Sequence, residues 1–145
     1  MKISLLIVVV AVLYGCNFAP GSFPYAEEFE LNESRQTLIN KVENFKEDNP
    51  QYKVPIRANL IDGYQGDNLM WFHVYFYYPD EDVIVKTWLR SKFDSSKTTF
   101  ALVGINKGLV LGNWKEVNHN LDHSENSRQI GLFKERILNR LQVEN

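Results

Sequence analysis

The stretch Leu69 to Tyr78 does most to limit what this chain can become, because it is ten residues of aromatic and aliphatic side chains with no helical period. Aromatic and β-branched residues fit a pleated, half-buried surface, so the stretch predicts one long strand. Its two parities differ. Met70, Phe72, Val74, Phe76 and Tyr78 form a purely apolar set, and Trp71, His73, Tyr75 and Tyr77 form a mixed one. A one-residue slip would carry the whole apolar set to the wrong side, so burying that set pins the register. The rest of the chain must supply a layer to cover it.

That layer comes from two amphipathic helices. Apolar residues at Leu31, Leu38, Ile39, Val42 and Phe45 fall in one stripe at 100° per residue, with Glu33, Lys41, Glu43 and Glu47 off it. Asn32 is the expected N-cap, and Asp48-Asn49-Pro50 ends the helix because proline disfavours helical backbone in the residue before it. Near the other end, Asp122 with Glu125 suits a capping box, and Ile130, Phe133, Ile137, Leu138 and Leu141 make the second stripe. Lys134, Arg136 and Arg140 lie on its opposite side.

Between the helices the period changes to two. Tyr52 to Ile61 alternates through Val54, Ile56, Ala58 and Leu60, which predicts a first strand. Pro55 places that strand at a sheet edge. The long strand follows, then a turn at Pro79-Asp80-Glu81-Asp82 and a third strand from Val83 to Phe93. A fourth strand is expected from Thr98 to Ile105, a hairpin at Asn106-Lys107-Gly108, and a fifth strand from Leu109 to Trp114. Turns this short imply antiparallel pairing. The expected fold is α+β in two layers: helix, five-stranded antiparallel meander, helix, with both helices on one sheet face.

Helices on one side leave a second face to explain. Trp71, His73, Tyr75 and Tyr77 share its parity, as do Ile84, Lys86, Trp88 and Arg90 of the third strand and Lys53, Arg57 and Asn59 of the first. Trp, Tyr and Arg are enriched at binding hot spots, since they join large contact area to a polar handle. Arg57, Trp71, His73, Tyr75, Tyr77, Lys86, Trp88 and Arg90 are therefore the candidate binding residues. Aromatic cross-strand pairs also stabilise a sheet without any partner, so ordinary packing is the competing reading.

The start of the chain is of another kind. Met1-Lys2 precedes an apolar run from Ile3 to Tyr14, broken only by Ser4, and Gly15-Cys16 closes it. This is the layout of a secretory signal, and the run is shorter than the ~20 apolar residues a spanning helix needs. Leu13-Tyr14-Gly15-Cys16 resembles the lipobox of bacterial lipoproteins, with an apolar residue at −3, a small one at −1 and the cysteine; Tyr14 is bulkier than is usual at −2. The resemblance covers residues 1–16. It implies cleavage before Cys16, a diacylglyceryl group on its sulfur, and acylation of the new N-terminus. Asn17, which is not the aspartate of inner-membrane retention, points to the outer membrane, and the lack of an acidic cluster after Cys16 points to its periplasmic side.

The expected organisation is a signal peptide at 1–15, a lipidated tether at 16–25 with Pro20, Gly21 and Pro24, and one domain at 26–145. The chain's only cysteine is spent on the lipid, so the domain has no thiol for a disulfide or a nucleophile. Cleavage removes one charge, Lys2, leaving 15 basic residues against 18 acidic ones, a net of −3. Nucleic acid requires a basic footprint, which argues against it as a partner.

Catalytic chemistry finds little support. His119 and His123 have the spacing of a zinc-protease pair, but Asn120-Leu121-Asp122 between them lacks the glutamate base and no third ligand stands out. Gly104, Gly108 and Gly112 lack the order of a phosphate-cradling loop. His73 has no carboxylate of its own parity to orient it. Glu27-Glu28 and Asp80-Glu81-Asp82 read as solvated loops. No metal or cofactor is expected. The leading expectation is a non-catalytic envelope lipoprotein whose aromatic and basic face binds a protein partner or a second copy. The alternative is a periplasmic small-ligand or glycan-binding lipoprotein, or a weak hydrolase using His73.

Overall fold

A computed structural model describes residues 23–143, with the side chain of residue 143 left aside. The expected signal peptide, Cys16 and the expected tether up to residue 22 lie outside the described residues. Six strands form one antiparallel sheet: β1 (Glu27–Leu31), β2 (Gly63–Gln65), β3 (Asn68–Tyr78), β4 (Val83–Ser91), β5 (Thr98–Lys107) and β6 (Trp114–Glu116). Helix α1 (Arg35–Asp48) follows β1. After β6 come α2 (His123–Phe133), a π-helical turn (Lys134–Leu138) and α3 (Asn139–Val143). The fold class is α+β.

The strand order is β1-β5-β4-β3-β2, and β6 also pairs with β5. The five-stranded meander is present as β2 to β6, and β1 is an addition to it. Residues Thr98–Leu102 of β5 pair with β1 and Gly104–Asn106 with β6, so the two short strands share one edge of β5. The expected reading had Glu27-Glu28 in a loop and Leu31 on the first helix. Instead Phe29 and Leu31 alternate with acidic residues along a strand, Leu31 is buried, and the helix begins later. Ser34, not Asn32, is the N-cap: its hydroxyl accepts the Thr37 amide at 3.2 Å.

The predicted first strand at 52–61 is absent. Pro50–Tyr52 and Ile56–Ala58 are 3-10 turns, Asn59 takes left-handed backbone at φ 54°, and Ile56 stands 97% exposed. Two prolines five residues apart remove ladder donors and hold φ near −65°, which favours turns over pairing. The edge strand beside β3 starts only at Gly63. Lys53, Arg57 and Asn59 therefore do not share a strand parity with Trp71. The fifth strand is displaced as well, to Trp114–Glu116. The side chain of Asn106, fully buried, organises the intervening loop: its amide donates to the Gly108 and Val110 carbonyls at 2.9 and 3.0 Å, and its oxygen accepts from Asn113 N.

One cluster holds the main core. It joins Leu38, Val42 and Phe45 of α1 and Phe133, Ile137 and Leu141 of the C-terminal helical segment to Val74, Phe76 and Tyr78 of β3 and to the matching residues of β4 and β5. Each fully buried side chain of this size contributes about 1.5–3 kcal/mol. The acidic turn after β3 is not merely solvated. Asp80 accepts a two-pronged ion pair from Arg136 at 2.8 and 2.7 Å, and Glu81 accepts from Arg128 at 2.6 Å, tying the C-terminal helical segment to the β3–β4 turn.

Candidate binding face

β3 and β4 place the second-face residues opposite one another. His73 faces Trp88, Tyr75 faces Lys86 and Tyr77 faces Ile84 across the strand pair. Strand parity alone brings seven of the eight candidates together with Ile84: Trp71, His73, Tyr75, Lys86, Trp88 and Arg90, with Tyr77 at the far end. Arg57 reaches the face from its 3-10 turn, close enough for its charge to act on the Tyr77 hydroxyl.

The face is largely covered, which sequence parity could not reveal. Trp88, Tyr75 and His73 are buried, while Trp71, Tyr77, Lys86 and Arg90 are half-buried and Arg57 is exposed. Two small clusters do the covering. At one end Ala58, Val54 and Leu60 from the irregular segment, with Leu109 and Trp114, pack on Tyr75, Tyr77 and Ile84. At the other, Phe23 and Ala26 pack on Trp71, Trp88, Ala101 and Val103.

Phe23 is the residue sequence reasoning missed, since it falls in the segment read as tether. Its ring lies edge-on to Trp71 and His73, with centroids 5.5 and 5.8 Å away, and is tilted 6.1 Å from Trp88. The Lys86 ammonium is 5.2 Å from its centroid. Three aromatic residues, Phe18, Phe23 and Tyr25, in a stretch otherwise of small, polar and proline residues were the available signal. Arg90 in turn lies over Trp88 at 5.4 Å.

The electrostatics of this face follow from burial. Desolvation, helped by the Lys86 charge, pushes the His73 imidazole down to about 4, so it is neutral near pH 7. Burial also draws Lys86 below the usual lysine range, opposed by Glu116. Trp71 Nε1, Trp88 Nε1 and His73 Nδ1 are buried with no hydrogen-bond partner among the described residues. A general base needs a group to orient its ring, and His73 Nδ1 has none among the described residues.

A second polar constellation stands at the β3 edge beyond β2. Lys46 Nζ donates to Asp62 Oδ2 at 2.5 Å and to the Tyr75 carbonyl at 2.6 Å, and Asp62 Oδ1 accepts the Tyr75 amide at 2.9 Å. The two side chains thus occupy both backbone groups that Tyr75 would offer to a neighbouring strand. A cavity of about 330 Å³ opens beside them, lined by Glu43, Lys53, Leu60 and Ile61 among others. Lys46 was legible in principle, because it sits four residues after Val42 and so falls in the apolar stripe of α1.

His119 stacks on Tyr25 with centroids 4.0 Å apart and rings parallel within 2°, while His123 opens α2. No cluster of three or more His, Cys, Asp or Glu able to hold a metal occurs among the described residues. No described helix is long and apolar enough to cross a membrane. Comparison with protein-family models, with curated proteins and with solved structures finds no match.

Proposed function

We propose that the protein is a non-catalytic, lipid-anchored component of a bacterial cell envelope, held through Cys16 at the periplasmic side of the outer membrane. It binds a protein partner through the aromatic and basic sheet face around Trp71, Lys86 and Arg90. The observation that carries this reading is the set of three buried nitrogens without partners on that face. Native interiors pair nearly all of their buried polar atoms. Three of the six such atoms among the described residues gather on this one face, and the polar groups of a partner would complete their hydrogen bonding.

Arg90 and Lys86 add charge, and Trp71 is half-buried where Trp88 is fully buried. Trp88 is too deeply buried to test the idea, because its removal would unfold the sheet. The experiment is capture of envelope proteins by the mature lipoprotein and by the Trp71→Ala/Arg90→Ala variant. The variant is expected to fold and to lose a specific partner that wild type retains. Equal capture by both overturns the reading.

A further inference from the structure

We infer that Phe23 fills, from within the chain, a slot that takes the aromatic side chain of a partner peptide carrying a carboxylate or carbonyl acceptors beside its ring. The inference rests on the reading of this face as a binding surface and names what that surface recognises. Four side chains define the slot: Trp71 and His73 on β3, and Lys86 and Trp88 on β4, with His73 and Trp88 directly opposed. Two edge-on contacts, one tilted contact and an ammonium 5.2 Å from the ring centroid surround Phe23. This is the geometry in which an aromatic ring is held by quadrupole and cation–π attraction.

Phe23 matches the slot in shape and not in polarity. Indole nitrogens only donate, and both Trp71 Nε1 and Trp88 Nε1 remain buried without an acceptor among the described residues while Phe23 is seated. A benzyl side chain brings none. A ring flanked by a carboxylate would keep the same aromatic contacts, supply acceptors to the indoles and place its charge near Lys86 and Arg90. Backbone can approach here, since Phe23 is itself delivered by a turn in which Ala26 N donates to its carbonyl at 3.2 Å. Phe23 precedes the first paired residue, Glu27, so its departure breaks no strand ladder.

The test follows the indole N–H resonances of the full chain in detergent micelles, titrated with N-acetyl-phenylalanine as a probe with both ring and carboxylate. Trp114, the third tryptophan, shares only the Lys86 ammonium with the slot, 5.9 Å from its ring centroid, and should shift less than Trp71 and Trp88. In Phe23→Ala the Trp71 and Trp88 resonances should shift with the probe, with an apparent Kd at least tenfold lower than in wild type. Adding Trp71→Phe, which keeps a ring and removes a donor, should weaken binding at least threefold. Phe23→Leu gives the same comparison if the alanine chain does not fold. Equal affinity in wild type and variant, or unmoved Trp71 and Trp88 resonances in the variant, overturns the slot. Failure of the slot with partner capture still dependent on Trp71 leaves the binding face standing. A working slot with capture unaffected by Trp71→Ala/Arg90→Ala overturns the partner and leaves the slot.

Discussion

Lys46 occupies a position that α1's period reserves for an apolar side chain, and its ammonium reaches the edge of β3 to meet Asp62 and the Tyr75 carbonyl. Burial pulls its pKa below the ordinary lysine value, and Asp62 opposes that pull. Breaking a buried pair is worse than lacking one, because it strands a charge. Asp62→Ala also orphans the Tyr75 amide, so a loss of about 3 kcal/mol is expected in urea denaturation. Lys46→Met/Asp62→Ala should cost less than the two single changes summed, which a double-mutant cycle measures. His73 gives a different signature. Its folded pKa of about 4 lies below the unfolded 6.5, so the unfolded chain binds the extra proton between those values. Stability is therefore complete above about pH 6.5 and declines as pH falls toward about 4. His73→Phe should flatten that decline in urea midpoints measured across the same range.

Among the elements, those legible from sequence were the ones whose period matched their burial. The α1 stripe from Leu38 to Phe45 was read correctly because it buries one continuous face, and the apolar parity of β3 holds at Val74, Phe76 and Tyr78, whereas Met70 of the same set stands 52% exposed. Phe45→Ala should cost about 3–5 kcal/mol by leaving a cavity between α1 and Phe76. The 52–61 segment misled because its alternation of Val54, Ile56, Ala58 and Leu60 mimics a strand, whereas only Ala58 among them is fully buried. β1 was missed because five residues with three glutamates carry too weak a pattern without the β5 partner that orders them. At Gly104, opposite Glu116, a Cβ would collide with the Lys115 carbonyl. Gly104→Ala should thus separate β6 from β5 at a cost of about 1–3 kcal/mol, seen first as faster amide exchange in Trp114–Glu116.

At the scale of the whole molecule, the short sequence distance between Cys16 and the face sets how far a lipid on that cysteine would let the face stand from a membrane. Seven residue steps separate Cys16 from Phe23, at most about 25 Å of extended chain. If Cys16 carries lipid, Cys16→Ser should move the protein from the membrane to the soluble fraction and abolish incorporation of labelled palmitate; retention in the membrane would count against the anchor. The local pattern of residues was enough to determine the α+β class, the antiparallel run of β3, β4 and β5, and the parity of β3 and β4, and therefore which of their aromatic and basic side chains share a face. Period and turn chemistry are local properties, and they act before any distant contact forms. Only the tertiary structure decided that Phe23 folds back over that face, that β1 completes the β5 edge, and that Lys46 and Asp62 close the edge of β3. Those outcomes depend on residues far apart in the chain competing for the same surface, and no single stretch of sequence contains both sides of that competition.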